Sequence, residues 1–229
     1  VKDIYPGELE CGLEDLRPGA GALFFYATDP VHGRELWTSD GTPEGTVVVS
    51  DINPAGDSNI NHNDDAGVGL NGMFVFPADD GVRGHELWQS DGTAENTTLI
   101  ADINPGGDSH PSWLTVMSDT LFFVANDGSR GNELWKTDGT TDGTVMVEDI
   151  WPGGDGNASN PQQMFVFNDK LYFWVFKPVK TGYSYVVPED FRLVIGNFFY
   201  NLRAPVRFLN NVLQGRFDDA GIVFSRFMI

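Results

Sequence analysis

The chain has 229 residues, of which 41% are hydrophobic, so it is long enough to bury the core of one large domain or two modest ones. Its single cysteine, Cys11, excludes an internal disulfide framework, and no run approaches the ~18 apolar residues of a membrane-spanning helix. The formal net charge of −19 is uneven, because residues 1–163 carry 6 Lys and Arg against 28 Asp and Glu, whereas residues 164–229 carry 8 against 5. The acidic part repels polyanions, which excludes nucleic acid as a partner.

The acidic part is built from a motif that occurs three times. Glu-Leu-Trp, followed two residues later by Asp-Gly-Thr, begins at Glu35, Glu86 and Glu133. The tryptophans of successive copies are 51 and 47 residues apart. An Asp-Ile-x-Pro segment, here called the Asp-Ile turn, begins at residues 3, 51, 102 and 149. Periods near fifty residues are typical of propeller and solenoid repeats.

Within one period the residue types predict four short strands. In the third copy we expect them at 113–117, 120–125, 133–137 and 144–148, separated by Asn, Asp and Gly residues that suit hairpin turns. Four strands match a propeller blade. The sequence therefore predicts β-rich, propeller-like repeats of about three blades over residues 1–163, followed by a small all-α segment over residues 164–229. Since a closed propeller needs at least about four blades, we expect free sheet edges.

These units resemble bacterial repeats that are named for the Glu-Leu-Trp-x-x-Asp-Gly-Thr motif and that occur in large exported proteins. The resemblance implies scaffolding of secreted or surface proteins and no shared chemistry. Residues that recur in every copy are more simply explained as architectural than as catalytic. We expect blade-core packing from Trp37, Trp88 and Trp135, and turn formation by Asp40, Asp91 and Asp138.

The repeat region does not have the pattern of an enzyme. Its four histidines are scattered, which argues against a zinc site, and it lacks Gly-x-Ser-x-Gly and Gly-rich phosphate loops. The acidic loops have two interpretations: Asp, Asn and Gly form plain turns, but carboxylate and carbonyl oxygens also bind Ca²⁺. The candidate calcium ligands are Asp102, Asp108, Asp149 and Asp155. No other cofactor is predicted.

The C-terminal segment has the periodicity of helices. Pro188-Glu189-Asp190 suits a helix start, and apolar residues from Phe191 to Leu202 then recur on one helix face. Pro205 separates this helix from a second, which Gly215 caps, and a third begins at Asp218. Such helices either pack as a bundle or lie in a membrane interface, with Phe in the acyl region and Arg at the phosphates. The periodicity leaves both interpretations open.

Short motifs in this segment are similar to the N-terminal part of the MlaA/VacJ family. In chain order they include Phe167-Asn168-Asp169-Lys170, Lys177-Pro178-Val179, Asn197-Phe198-Phe199, and Leu213-Gln214-Gly215. The family comprises outer-membrane lipoproteins of Gram-negative bacteria that remove mislocalised phospholipid from the outer leaflet. The resemblance implies an all-helical ring in the inner leaflet, phospholipid as the ligand and trimeric porins as partners, without catalysis.

The same resemblance suggests roles for ten residues of the segment. Those expected to shape the helical ring are Phe198, Phe199, Asn201, Pro205, Asn210, Gln214 and Gly215. Those expected to contact lipid headgroups are Arg203, Arg207 and Arg216. The sequence thus predicts a protein of the cell envelope, at the outer membrane or in the periplasm, that takes part in phospholipid transport. The alternative is a secreted or surface binding protein whose repeats bind Ca²⁺ or a glycan, with a non-functional tail.

The junction between the two parts fits both of them. Residues 164–173 read as family sequence and also as the opening strands of another repeat. A natural fusion explains such a junction, and so does a recombination or assembly error at a locally similar stretch. Because the chain begins on Val1 within a repeat and ends on Ile229 within a predicted helix, we expect it to be part of a longer protein.

Overall fold

A computed structural model of the chain describes residues 2–7, 11–58, 67–149 and 161–175. These residues all fall in the first of the two units into which the chain divides, Val1–Lys177. They form β-strands joined by turns and contain no helix. Within these ranges no helix has the length and hydropathy needed to cross a bilayer.

Three four-stranded antiparallel sheets follow one another, each with its strands in chain order. Sheet 1 consists of β1 (Glu14–Gly19), β2 (Ala22–Asp29), β3 (Gly33–Ser39) and β4 (Val47–Val48). Sheet 2 consists of β5 (Val68–Leu70), β6 (Met73–Asp79), β7 (His85–Ser90) and β8 (Thr98–Ala101). Sheet 3 consists of β9 (Ser112–Met117), β10 (Thr120–Asn126), β11 (Asn132–Thr137) and β12 (Val145–Glu148). The strand-rich fold with four strands per period is as predicted.

A two-stranded hairpin follows sheet 3. It consists of β13 (Gln162–Phe167) and β14 (Lys170–Trp174), and we call it the terminal hairpin. Strands β1 and β5, β5 and β9, and β9 and β13 are neighbours, so the terminal hairpin extends a row formed by the first strand of each sheet. None of the sheets of described residues closes on itself.

The terminal hairpin corrects the prediction of an all-α segment from residue 164 onwards. The described start of that segment is β-structure, because Asn168 and Asp169 take φ values of 49° and 54° and so form a tight turn between two apolar runs. The predicted helices over residues 188–227 lie outside the described residues.

The Glu-Leu-Trp motif occupies the third strand of each sheet in the same register. Trp37 pairs with Phe25 on one side and with Val48 on the other. The corresponding pairs are Trp88 with Phe76 and Leu99, and Trp135 with Phe123 and Met146. The three tryptophans are therefore equivalent in the sheets, as the motif spacing predicts. Their burial differs, since Trp37 is buried whereas Trp88 and Trp135 are half-buried.

The first two strands of each sheet are joined by a tight turn. In sheet 2 this turn is Asn71-Gly72, with φ values of 50° and 82°. Two successive positive φ angles give a hairpin turn whose twist matches that of the strands, and glycine adopts such an angle with little strain. This turn fixes the register in which Leu70 pairs with Met73.

The hydrophobic cores lie between successive sheets rather than within each one. Ile52, from the Asp-Ile turn after sheet 1, is buried in one cluster with Phe76 and Ala78 of sheet 2, and Trp88 packs against that cluster. Ile103, from the next Asp-Ile turn, is buried in the same way with residues of sheet 3: Phe123, Ala125 and Trp135. Ile4 occupies the matching position against sheet 1, with Phe25, Ala27 and Trp37. The Asp-Ile turns that begin at residues 3, 51 and 102 thus place their isoleucines on the tryptophan-bearing face of the following sheet.

Candidate functional site

The ten residues for which family resemblance predicts lipid or ring contacts lie outside the described residues. In the C-terminal part of the chain the structure describes the terminal hairpin, which exposes several aromatic side chains. Phe165 and Phe167 are 52% and 58% exposed, and Tyr172 is 43% exposed. The Phe165 and Tyr172 rings stack with centroids 5.4 Å apart. The hairpin therefore presents an aromatic surface, although repeat periodicity alone did not single it out.

The three Asp-Gly-Thr segments form the same exposed turn. In each, the aspartate Oδ1 accepts a hydrogen bond from the backbone N–H of the threonine two residues later at 2.9 Å and from its hydroxyl at 2.7 Å. These bonds, the threonine hydroxyl first, lower the pKa of the three carboxyls: Asp40, Asp91 and Asp138. The geometry is that of a turn whose acceptor is an ionised carboxylate.

Of the candidate calcium ligands, Asp102, Asp108 and Asp149 lie within the described residues. The Oδ1 atom of Asp108 accepts the backbone N–H of His85 at 2.8 Å, and its carbonyl accepts the Asn104 amide at 2.9 Å. Across the described ranges, no group of three or more His, Cys, Asp or Glu side chains is placed to hold a metal. One oxygen of the Asp108 carboxylate is thus already engaged by the protein's own backbone. Calcium binding stays a prediction.

The motif glutamates are the polar residues whose role sequence reasoning missed. Glu35, Glu86 and Glu133 are all fully buried. The Glu86 carboxylate accepts the backbone N–H groups of Ile103 at 3.0 Å and Asn104 at 3.2 Å, and the Ser109 hydroxyl at 2.6 Å. In sheets 1 and 2 the motif glutamate therefore fastens the following Asp-Ile turn to the sheet that carries the glutamate.

Burial has the largest effect on the pKa of two of these carboxyl groups, those of Glu35 and Glu86. It raises the pKa of Glu35 to about 7, against hydrogen bonds from Ser58 and the turn that favour the charged form. Burial raises the pKa of Glu86 in the same direction. The sequence contained one signal for this arrangement: an Asp-Ser pair, at Asp57-Ser58 and Asp108-Ser109, follows each of these Asp-Ile turns at the same distance.

A second arrangement that the sequence analysis did not predict lies in the loop between the second and third strands of each sheet, where an aspartate binds a basic side chain of the same loop. The Asp80 carboxylate accepts the backbone N–H groups of Val82 and Arg83 at 2.9 and 2.7 Å, and pairs with the Arg83 guanidinium at 2.6 Å. Asp127 holds Arg130 in the same way, and Asp29 holds His32. Burial alone would raise the pKa of Asp80, but its hydrogen bonds within the loop outweigh burial and lower it. The three loops therefore fix a cationic or titratable side chain at equivalent places.

The comparisons with known proteins concern the C-terminal part of the chain. No curated protein sequence matches the chain at a significant level. A family profile described as MlaA lipoprotein matches residues 155–229. The match begins before the predicted boundary at residue 164 and includes the terminal hairpin, so the C-terminal part of this chain is similar to MlaA lipoproteins.

Proposed function

We propose that this chain belongs to a protein of the Gram-negative cell envelope whose C-terminal part takes part in phospholipid transport between membranes and so in outer-membrane lipid asymmetry. The observation that carries the proposal is the match of residues 155–229 to the MlaA lipoprotein family. The proposed ligand is phospholipid, and the proposed partner is an outer-membrane porin. The proposed activity is binding and transfer, not catalysis.

The chemistry of the C-terminal part supports a lipid ligand. Residues 164–229 carry 8 Lys and Arg against 5 Asp and Glu, so this part attracts anionic headgroups by about 1 kcal/mol for each basic side chain near the surface. The candidate headgroup contacts are Arg203, Arg207 and Arg216. Burying a phenylalanine such as Phe198 or Phe199 contributes roughly 1.5–3 kcal/mol. Together these terms favour a membrane interface over water.

The terminal hairpin adds a described surface of the same character. Phe165 and Phe167 are more than half exposed, and Tyr172 packs beside them with part of its surface in water. Aromatic side chains with this exposure suit the boundary between lipid and water, where tyrosine keeps a polar end hydrated. The hairpin therefore supports lipid contact by the matched region.

Sedimentation of the full chain with anionic phospholipid vesicles tests this proposal. We expect the unmodified protein to pellet with vesicles at low salt and to be released as salt screens its basic side chains. Phe198→Ser with Phe199→Ser should reduce the bound fraction. The matched control is Val31→Ser with Val82→Ser, at loop positions of sheets 1 and 2 where the side chains are 78% and 85% exposed. This control should bind normally. An unmodified chain that stays in the supernatant at low salt contradicts the proposal.

A second proposal concerns the three sheets, whose equivalent loops favour a binding scaffold of propeller type. Their acidic character, with 28 Asp and Glu in residues 1–163, favours a cation such as Ca²⁺ over an anionic ligand, with a glycan as the other candidate. Asp102, Asp108, Asp149 and Asp155 are the proposed calcium ligands. Titration calorimetry with Ca²⁺ and a rise in melting temperature would support this role, whereas no heat and no rise would contradict calcium binding.

A further inference from the structure

The joint between sheets 2 and 3 brings together two different kinds of sheet face. Sheet 2 presents apolar residues of its first two strands to the sheet that follows it, among them Val68, Leu70 and Val75. Sheet 3 receives them with apolar residues of its own first two strands, among them Leu114, Val116 and Leu121. We call the first kind the forward face and the second kind the rear face.

Strand register identifies a forward face on the terminal hairpin. The pairing of Phe165 with Tyr172 repeats the pairing of the two forward-face valines of sheet 2. Phe167 takes the place of Leu70, since each of them pairs with the first residue after a two-residue turn. In its joint with sheet 3, Leu70 is 3% exposed, whereas all three hairpin residues are at least 43% exposed. The hairpin thus leaves open the face that sheet 2 buries.

Sheet 1 carries the matching rear face. Pro18 pairs with Leu23 in the register that the rear-face residues of β9 and β10 show in sheet 3. Leu16 stands two residues before Pro18, which is the spacing of the two rear-face residues of β9. Leu16 is 52% exposed, Pro18 is also exposed and Leu23 is half-buried, whereas the corresponding Leu121 is fully buried by the joint in sheet 3.

Both faces lie where a further sheet would continue the array. The first strands of neighbouring sheets lie side by side, so a strand placed beside β13 would extend their row. On sheet 1, Ile4 already packs with Phe25 and Trp37, as the isoleucines of the later Asp-Ile turns do at the interior joints. Repeat arrays normally end in polar faces that keep them in solution. Two exposed apolar faces that are the two sides of one joint therefore mark an interaction site.

Charge permits a contact at the terminal hairpin and opposes one elsewhere on the sheets. Residues 1–163 carry 28 Asp and Glu against 6 Lys and Arg, so two such regions repel each other over most of their surfaces. Residues 161–175 carry only Asp169 and Lys170, whose formal charges cancel. The electrostatic cost of bringing two arrays together is therefore lowest where the hairpin of one of them forms the contact.

We propose that the occupant of these faces is a second copy of this chain: the forward face of the terminal hairpin of one copy packs on the rear face of sheet 1 of the next. The contact repeats the joint that already connects sheets 2 and 3. Because the two copies contribute different surfaces, each copy keeps one free face, and association ends only when the copies close into a ring. This inference is independent of the proposed lipid transport.

Sedimentation velocity of the full chain at several protein concentrations tests the contact. We expect the mean mass to rise with concentration to at least that of a dimer. We also expect stronger association at high salt, because salt screens the repulsion between the acidic regions. A chain that stays monomeric at both salt concentrations overturns the proposal. An association that salt weakens also overturns it, because it would indicate binding of the basic C-terminal part to the acidic sheets.

Two double variants separate the two faces. The forward variant is Phe165→Ser with Phe167→Ser, and the rear variant is Leu16→Ser with Pro18→Ser. All four side chains are exposed, so both variants should keep the circular dichroism of the unmodified protein. Each variant should associate about tenfold or more weakly, since it loses the burial of two apolar side chains in the joint. The control Val31→Ser with Val82→Ser should associate like the unmodified chain.

Mixing the two variants identifies the arrangement of the copies. The forward variant keeps its rear face and the rear variant keeps its forward face, so the mixture should form a complex of two copies held by one intact joint, and none larger. A rear variant that associates like the unmodified chain would indicate contact between two hairpins and overturns the proposal. A mixture that stays monomeric overturns it as well. A monomeric chain whose binding to anionic vesicles falls in the forward variant would assign the hairpin face to lipid and also overturns it.

Discussion

Replacing Ile103 with alanine tests whether the Asp-Ile turns hold successive sheets together. Ile103 is 7% exposed and is buried in one cluster with Leu121, Phe123 and Ala125 of sheet 3. The substitution removes three carbon atoms, which corresponds to about 2.4 kcal/mol of transfer free energy at ~0.8 kcal/mol each. The cavity that remains adds to this cost, so we expect the free energy of unfolding to fall by roughly 2–5 kcal/mol.

Urea unfolding followed by tryptophan fluorescence and circular dichroism measures this loss. The midpoint should shift to lower urea with little change in the slope m, because the fold of the remaining residues is kept. The control is Val82→Ala at a position 85% exposed, which should change stability by no more than about 0.5 kcal/mol. A loss below about 1 kcal/mol for Ile103→Ala would refute the inter-sheet role assigned to the isoleucine.

Three further outcomes follow from the described contacts. Gly72→Ala should lower the free energy of unfolding by about 1–2 kcal/mol in thermal unfolding, because Gly72 has a φ of +82° that strains a residue with a side chain. The control Gly56→Ala, where the added carbon meets open space, should leave the free energy of unfolding unchanged. Equal losses in the two variants would contradict this explanation. Ser109→Ala removes the hydroxyl that donates to the buried Glu86 carboxyl at 2.6 Å, so chemical denaturation should show a loss of about 1–3 kcal/mol. The pKa of Asp127 is lowered because hydrogen bonds within its loop outweigh the effect of burial. The stability that this carboxylate contributes is therefore present above the unfolded-state pKa of 3.8 and is lost as pH falls through the lower folded value. Asp127→Asn should consequently lose less stability in acid than the unmodified protein does, as measured by chemical denaturation at several pH values.

Much of the sheet architecture could be predicted because its signals are periodic and local. The 51- and 47-residue spacings of Trp37, Trp88 and Trp135 gave their equivalent register, and alternating apolar residues between turn formers gave the strands. The role of Glu35 could not be predicted in this way. Its partners lie 17 and 18 residues away, and a glutamate between apolar strand residues normally marks a solvent-facing position.

Near residue 164 the local sequence pattern was insufficient to predict the secondary structure. The apolar runs around Asn168-Asp169 fit the opening strands of a repeat as well as the family motif, and local patterning does not decide between them. The structure places these residues in the terminal hairpin, where β13 lies beside β9 of sheet 3. A neighbouring strand from elsewhere in the chain supplies the context that the segment itself lacks.

The position of the Asp-Ile turns gives the array of sheets a direction. Ile4, Ile52 and Ile103 each precede in sequence the sheet on which they pack. During synthesis, each isoleucine consequently leaves the ribosome before the face that receives it, so sheets can dock one after another from the N-terminus without waiting for distant sequence. The equivalence of the three contacts also means that residues 52–102 could be deleted or duplicated as a block. At the new junction an isoleucine of an Asp-Ile turn would again pack on the tryptophan-bearing face of the sheet that follows it.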